Sequence, residues 1–156
     1  MPVPPVNRLC HCLLVLCLCL AGGRAGASEF ADELARETNA ARSARGRKAL
    51  ARDPTLDRLA QGHANDMART GRVNHAGFSR RTAVIRRDWS ASGRVGENVA
   101  MRLGSGTVPR QFVDMWAASP SHRANLFGPY THAGTAVARG ESGAWYAVQL
   151  YVAERR

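Results

Sequence analysis

Cysteine is confined to the first 20 residues of this 156-residue chain, at Cys10, Cys12, Cys17 and Cys19. The same segment has Arg8 before an apolar run over residues 9–21, and it ends in the small residues Ala-Gly-Ala at 25–27. This arrangement is typical of a secretory signal peptide with an A-x-A cleavage site, so we expect residues 1–27 to be removed. Residues 28–156 would then have no disulfide and no thiolate metal site, and would rely on an apolar core.

Long apolar runs are also missing. The run near the start is shorter than the roughly 20 residues that a membrane-spanning helix needs, so no transmembrane span is expected after signal cleavage. A short membrane anchor is the alternative interpretation of that run. We therefore expect a secreted or periplasmic protein whose remaining length suits one ordinary domain, while its oligomeric state stays open.

Lysine is nearly absent, since Lys48 is the only lysine among 22 basic residues. Loss of Arg8 and Arg24 with the signal peptide would leave 20 basic against 12 acidic residues, a net charge of +8. Arginine makes bidentate contacts with phosphate and carboxylate groups, so a lipid or another anionic cell-envelope component is one candidate partner. A GC-rich genome with ordinary solvated charge is the other explanation. No nucleic-acid partner is expected.

The spacing of apolar residues predicts helices first and strands at the end of the chain. Four helices are predicted, at residues 29–45, 53–71, 82–87 and 107–116. A short helical turn, SPSHRANL, follows at 119–126, and we expect the side chain of Ser119 to cap it. Two strands joined by a hairpin are predicted at 134–139 and 144–153. The economical interpretation is a single α+β domain.

Common catalytic motifs are absent, because the chain has no nucleophile elbow, P-loop, H-E-x-x-H or paired C-x-x-C. Any metal site outside the signal peptide would use imidazole and carboxylate, a ligand set that suits zinc. By spacing, His63 is predicted to be a core histidine, because it lies on the buried stripe of its helix. His75 lies in a loop as a surface residue or a ligand, and His132 is assigned no role.

One carboxylate differs from the others in its surroundings. Glu97 follows Val95 and Gly96 and precedes Asn98 and Val99, so its neighbours are apolar rather than charged. A carboxylate in such a place needs a partner, or its pKa will rise.

Several segments, taken in order, resemble one protein family. They are LDRLAQGHANDMA at 56–68, NHAGF at 74–78, GENVA at 96–100, FVDMW followed by SPSHRANL at 112–126, and WYAVQLY at 145–151. This series is similar to the CAP superfamily, in the bacterial secreted form of the SCP-like group. That group is related to cysteine-rich secretory proteins, antigen 5 and plant pathogenesis-related proteins. The resemblance runs from about residue 33 to 153, so residues 28–156 are interpreted as one CAP domain.

The resemblance implies a three-layer α–β–α sandwich with a central antiparallel sheet and a surface cleft. In the family the cleft is lined by two histidines and two acidic residues, which bind a divalent metal in some members. Carried over by motif, these positions are His75, His122 and Glu97, and the second acidic position is Ser119 here. Asn98 and Asn125, from the same motifs, complete the expected ligand-binding cleft.

Two chemical interpretations of this set remain open. His75, Glu97 and His122 are enough for a three-ligand site for zinc or another divalent metal. They could equally form a metal-free network in which Glu97 accepts hydrogen bonds from a histidine and a backbone N–H. No cofactor is certain.

The expected function is a non-enzymatic binding domain for a lipid, an envelope component or a metal at this cleft. The arginines beside it, Arg80, Arg81, Arg86 and Arg87, would contact the envelope. A metal-dependent, protease-like secreted hydrolase using the same cleft is the alternative, and we assign no catalytic residue. An interaction protein acting on neighbouring cells is a third interpretation that the sequence does not separate from the first.

Overall fold

A computed structural model describes residues 9–89, 93–104 and 108–153, with side chains from residue 26 onward. The elements of this part, in chain order, are α1 Leu9–Ser43, β1 Ala51–Arg52, α2 Pro54–Thr70, α3 Phe78–Asp88, β2 Val95–Arg102, α4 Val108–Ala118, α5 Pro120–Leu126, β3 His132–Arg139 and β4 Trp145–Val152. None of the helices in the described residues is both long and apolar enough to cross a membrane.

The sheet has the strand order β1-β3-β4-β2. The hairpin of β3 and β4 is antiparallel, as expected, and β2 pairs antiparallel with β4 along its whole length, from Val95 opposite Val152 to Arg102 opposite Trp145. The two-residue strand β1 adds a parallel pair with the start of β3. The sheet is therefore antiparallel over its three long strands and mixed at one edge.

Helices cover both faces of the sheet. Because successive side chains of a strand point to opposite faces, β4 contributes to two separate cores. Tyr146, Val148, Leu150 and Val152 pack against α2. Trp145 and Ala147 pack in the other core, with residues of α1 and α4. This arrangement confirms the α–β–α layering expected of the fold.

The first helix differs from its predicted bounds. Its predicted start is Glu29, whereas α1 begins at Leu9 and continues without interruption to Ser43. No proline lies between Leu9 and Ser43, and a glycine inside a helix costs only about 1 kcal/mol. No residue before Glu29 therefore prevents the helix from starting at Leu9. Cleavage after Ala27 stays a prediction, and it would fall within this helix.

Strand β2 is the long element that the sequence pattern did not predict, and the two-residue strand β1 was not predicted either. Its residues 96–100 are all buried, so it lacks the alternation of a half-buried strand. Helix α3 is longer than the predicted 82–87, because it starts directly after Gly77, whose φ of 73° reverses the chain. The predicted cap at Thr107 lies outside the described residues.

Candidate functional site

Glu97 lies on β2 with only 1% of its side chain exposed, and each of its oxygens has a partner. The Nδ1 atom of His75 is 2.8 Å from Oε1. Arg81 donates from Nε to Oε2 at 2.8 Å, and its Nη2 lies 2.6 Å from the same oxygen. The sequence predicted that this carboxylate needs a partner, but it did not single out Arg81.

The loop between α2 and α3 positions both partners of Glu97. Within it, the Asn74 side chain accepts a hydrogen bond from the Ala76 N–H at 2.8 Å, which forms a tight Asx turn around His75. Arg81 closes the loop from the other side, because its Nη1 donates to the Ala76 carbonyl at 2.8 Å. One arginine therefore links the loop, α3 and β2.

His63 supports this loop from inside the protein. It is buried on α2, and its Nε2 lies 2.7 Å from the carbonyl oxygen of Asn74. The prediction of a core histidine with a satisfied hydrogen bond is confirmed. His132 instead begins β3, where its ring meets Trp89 edge-on.

Two asparagines attach α5 to β2. The Asn98 amide donates to the carbonyl of His122 at 3.0 Å and to the Tyr151 hydroxyl at 3.2 Å. The Asn125 amide donates to the Asn98 side-chain oxygen at 3.1 Å and to the Glu97 carbonyl at 3.2 Å. Asn98 and Asn125 therefore hold His122 next to the strand that carries Glu97.

The glycine of the GEN motif allows this close approach. A Cβ atom at Gly96 would lie 2.6 Å from the Tyr130 hydroxyl and 2.8 Å from Oδ1 of Asn125. Those two groups are themselves hydrogen-bonded at 3.2 Å. Tyr130 was not assigned to the site from the sequence, although it opens the segment YTHAGTAVA at 130–138, which belongs to the same series of family-like segments.

His122 is half-buried, and this lowers its pKa below the ordinary value for histidine. The largest cause is burial, and the nearby charge of His75 lowers the pKa further. Both effects favour neutral imidazole at His122 near pH 7.

Ser119 occupies the N-cap position of α5 with extended backbone angles, but its side chain makes no capping hydrogen bond. Its Oγ faces the Oγ of Ser121 at 3.4 Å. The prediction of a side-chain cap was wrong. Pro120 supplies no N–H in the first turn, and the Ser119 backbone carbonyl accepts the first helical bond from Arg123 N–H at 2.8 Å.

The residues present do not fit a divalent metal in this arrangement. In the described part of the chain, no three His, Cys, Asp or Glu side chains are grouped so that they could hold a metal ion. Glu97 faces His75 with one oxygen and Arg81 with the other, so a metal would have to displace a guanidinium from a buried carboxylate. The geometry favours the metal-free network, with Arg81 in the place where a backbone N–H was expected.

A concave region of the described structure lies at the edge of the sheet opposite to β2. This groove of about 1060 Å³ runs along β3 between α1 and α2. Its polar groups largely bind one another: Asp57 accepts from the Thr135 N–H at 2.8 Å, and Gln61 donates to the Val137 carbonyl at 3.3 Å. Arg52 pairs with Asp32 and Asp57. These contacts protect the open edge of β3.

The sequence pattern of the cysteine-rich secretory protein family, CAP, matches residues 35–151. Solved structures with the same fold include three bacterial proteins. An outer surface protein from Borrelia burgdorferi has a TM-score of 0.67 at 20% identity, over 81% of this chain and 94% of that one. A cysteine-rich secretory protein from Staphylococcus aureus subsp. aureus Mu50 has a TM-score of 0.64 at 21% identity, over 82% and 39%. An extracellular protein containing a SCP domain from Bacillus anthracis str. Ames has a TM-score of 0.68 at 19% identity, over 97% and 45%.

At these identities the structures show a common fold and do not transfer an activity. The chain spans less than half the length of the S. aureus and B. anthracis proteins. No curated protein sequence matches the chain significantly. Because the family pattern covers most of the sequence and the layered fold agrees with it, the chain belongs to the cysteine-rich secretory protein (CAP) family.

Proposed function

We propose that this protein is a secreted or periplasmic, non-enzymatic binding domain. Its cleft at His75, Glu97 and His122 would bind an anionic group of a cell-envelope component, such as a lipid headgroup. The observation that carries the proposal is the pairing of buried Glu97 with Arg81 and His75, which leaves the cleft without a free negative charge. Similar structures include an outer surface protein and an extracellular protein, which supports a location outside the cytoplasm.

The same pairing argues against catalysis. A general base or a metal ligand needs a carboxylate oxygen that can reach a substrate, a water or a metal. Glu97 offers none, because both oxygens are engaged inside the protein. Nor does the serine beside the cleft act as an activated nucleophile, since the Oγ of Ser119 faces another hydroxyl and not a histidine.

The charge around the cleft suits an anion. Exposed arginines lie on each segment that builds it, namely Arg72, Arg80, Arg86, Arg94 and Arg123. Two of the four arginines expected to contact the envelope have other partners, because Arg81 binds Glu97 and Arg87 binds Asp88. The proposed envelope contact on α3 therefore rests on Arg80 and Arg86.

Vesicle co-sedimentation tests this proposal. Binding is compared between vesicles containing phosphatidylglycerol and vesicles of phosphatidylcholine alone, for the wild type and the double variant Arg80→Gln/Arg86→Gln. A basic residue near an anionic membrane contributes about 1 kcal/mol, so the double variant should bind roughly 10- to 30-fold more weakly. Every sample has the same N-terminal segment, so a difference reports on the arginines.

The matched control is Arg58→Gln/Arg69→Gln, which makes the same change in net charge on exposed parts of α2 that line the opposite groove. This control should bind like the wild type. Equal losses in both double variants, or equal binding to neutral vesicles, would contradict a specific anionic contact at the cleft. Chelator-sensitive hydrolysis of peptides or esters by the wild type would contradict the non-enzymatic assignment.

A further inference from the structure

We propose that Arg81 acts as a built-in cation that takes the place of a metal ion as the positive partner of Glu97. In this chain the cleft would be closed to divalent metals, and loss of Arg81 would open it to zinc. This inference rests on the same Arg81–Glu97 pair as the proposed function, but its test measures zinc binding and not vesicle binding, so the failure of one can be told from the failure of the other.

The first support is burial. Glu97 is 1% exposed and Arg81 is 11% exposed, whereas His75 is 51% exposed. A buried carboxylate requires a nearby cation, and a guanidinium is charged at every pH that the protein meets. Arg81 therefore neutralises Glu97 permanently, and no metal ion is needed for that purpose.

The second support is how firmly Arg81 is held. Its Nε donates to Oε2 of Glu97 and its Nη1 donates to the Ala76 carbonyl, while Nη2 is in ion-pair contact with Oε2 without a hydrogen bond. The planar guanidinium thus bridges β2 and the loop that carries His75. If Arg81 left Oε2, it would leave the buried charge of Glu97 without its main partner.

The third support is the small number of ligand atoms that remain free to bind a metal. Oε1 of Glu97 is 2.8 Å from Nδ1 of His75, so this oxygen is also occupied. What the cleft can still offer is imidazole nitrogen from His75 and His122, and two imidazoles make a weaker zinc site than two imidazoles with a carboxylate. Removal of the guanidinium frees Oε2 and leaves the negative charge of Glu97 uncompensated, which favours a divalent cation.

Zinc titration followed by NMR tests the proposal at the two histidines themselves. The full chain is treated with iodoacetamide to block its thiols, and the imidazole signals of His75 and His122 are assigned with His75→Gln and His122→Gln. In the wild type these signals should not move when one equivalent of zinc is added. In Arg81→Met both should shift, with zinc binding at least roughly tenfold tighter than in the wild type.

Two controls separate the role of Arg81 from a general change of charge. Arg80→Met removes the same charge from the neighbouring residue, which is exposed on α3, and should behave like the wild type. Arg81→Lys keeps a cation and should also exclude zinc. Zinc binding at His75 and His122 in the wild type, with the affinity of Arg81→Met, would overturn the proposal. Should Arg81→Met not fold, as judged by circular dichroism, Arg81→Gln takes its place, because glutamine removes the charge but can still donate a hydrogen bond to Glu97. Zinc binding by that variant no tighter than by the wild type would overturn the proposal.

Discussion

Glu97 carries its charge where almost none of its side chain meets water. Burial of an ion costs several kcal/mol unless a partner offsets it, and Arg81 and His75 are those partners. The apolar neighbours of Glu97 were sufficient to predict that a partner was required. They did not identify it, because Arg81 is one of five arginines between residues 80 and 94, and its contact depends on the turn at Gly77.

Tyr151 gives a residue-scale prediction about alkaline pH. Burial raises the pKa of Tyr151 far above the ordinary value for tyrosine, while the unfolded chain ionises near its ordinary value of about 10. The folded state therefore binds the proton more tightly, and this contribution to stability is complete below pH of about 10 and falls as pH rises above it. Wild-type unfolding free energy, measured in urea between pH 8 and 11.5, should decline over the upper part of this range.

Tyr151→Phe is the matched variant for this pH dependence. It removes the hydroxyl that donates to Gln149 at 2.6 Å and accepts from Asn98, so it should lose about 1–3 kcal/mol at pH 8. Its unfolding free energy should fall less steeply above pH 10, because one tyrosine no longer ionises in the unfolded state. Parallel curves for the two proteins would show that Tyr151 is not the group responsible.

At the scale of elements, the sequence predicted helix boundaries correctly where a capping residue fixes them. Helix α2 was predicted from Asp53-Pro54 to Gly71, and Asp53 indeed accepts hydrogen bonds from Thr55 and Leu56 at its start, while Gly71 ends it with φ 68°. Strand β2 was missed, since its burial depends on α-helices that lie far away in sequence. Strand β1 is two residues long and exists through its pairing with β3, which no local pattern could show.

Three glycine-to-alanine substitutions test how the elements pack. At Gly134 an added Cβ would overlap the backbone of Leu56, so α2 would have to move away from β3, and we expect a loss of about 3 kcal/mol. At Gly96 the added atom meets the ends of the Tyr130 and Asn125 side chains, which can shift, and about 1–2 kcal/mol should be lost.

Gly62 is the control for these substitutions, since it lies within α2 with open space around it. Its replacement by alanine should stabilise the protein by about 0.5–1 kcal/mol, because alanine loses less conformational entropy in a helix. Thermal and urea unfolding of the three variants measures the change in unfolding free energy for each and so gives their order of stability. A neutral Gly134→Ala would contradict the close packing of α2 on β3.

Across the whole molecule, the residues of the proposed cleft lie at the edge of the sheet formed by β2. Successive residues of β2 point to opposite faces of the sheet. Glu97 and Val99 therefore contact one helical layer, and Asn98 and Ala100 contact the other. Glu97 meets the loop and α3, whereas Asn98 meets α5 and Tyr151. The resemblance to the CAP family, and not the spacing of residues, predicts that His75 and His122 share one cleft, and this stays a prediction.

A double-mutant cycle of Arg81→Met and Glu97→Gln measures the pairing on which both the cationic cleft and the exclusion of metal depend. Each single variant breaks a buried ion pair and should lose about 3–5 kcal/mol of unfolding free energy. The double variant should lose clearly less than the sum, with a coupling energy of about 2 kcal/mol or more, whereas the control cycle of Arg80→Met and Glu97→Gln should couple by less than about 0.5 kcal/mol. Equal coupling energies in the two cycles, or none in either, would contradict Arg81 as the cation that neutralises Glu97.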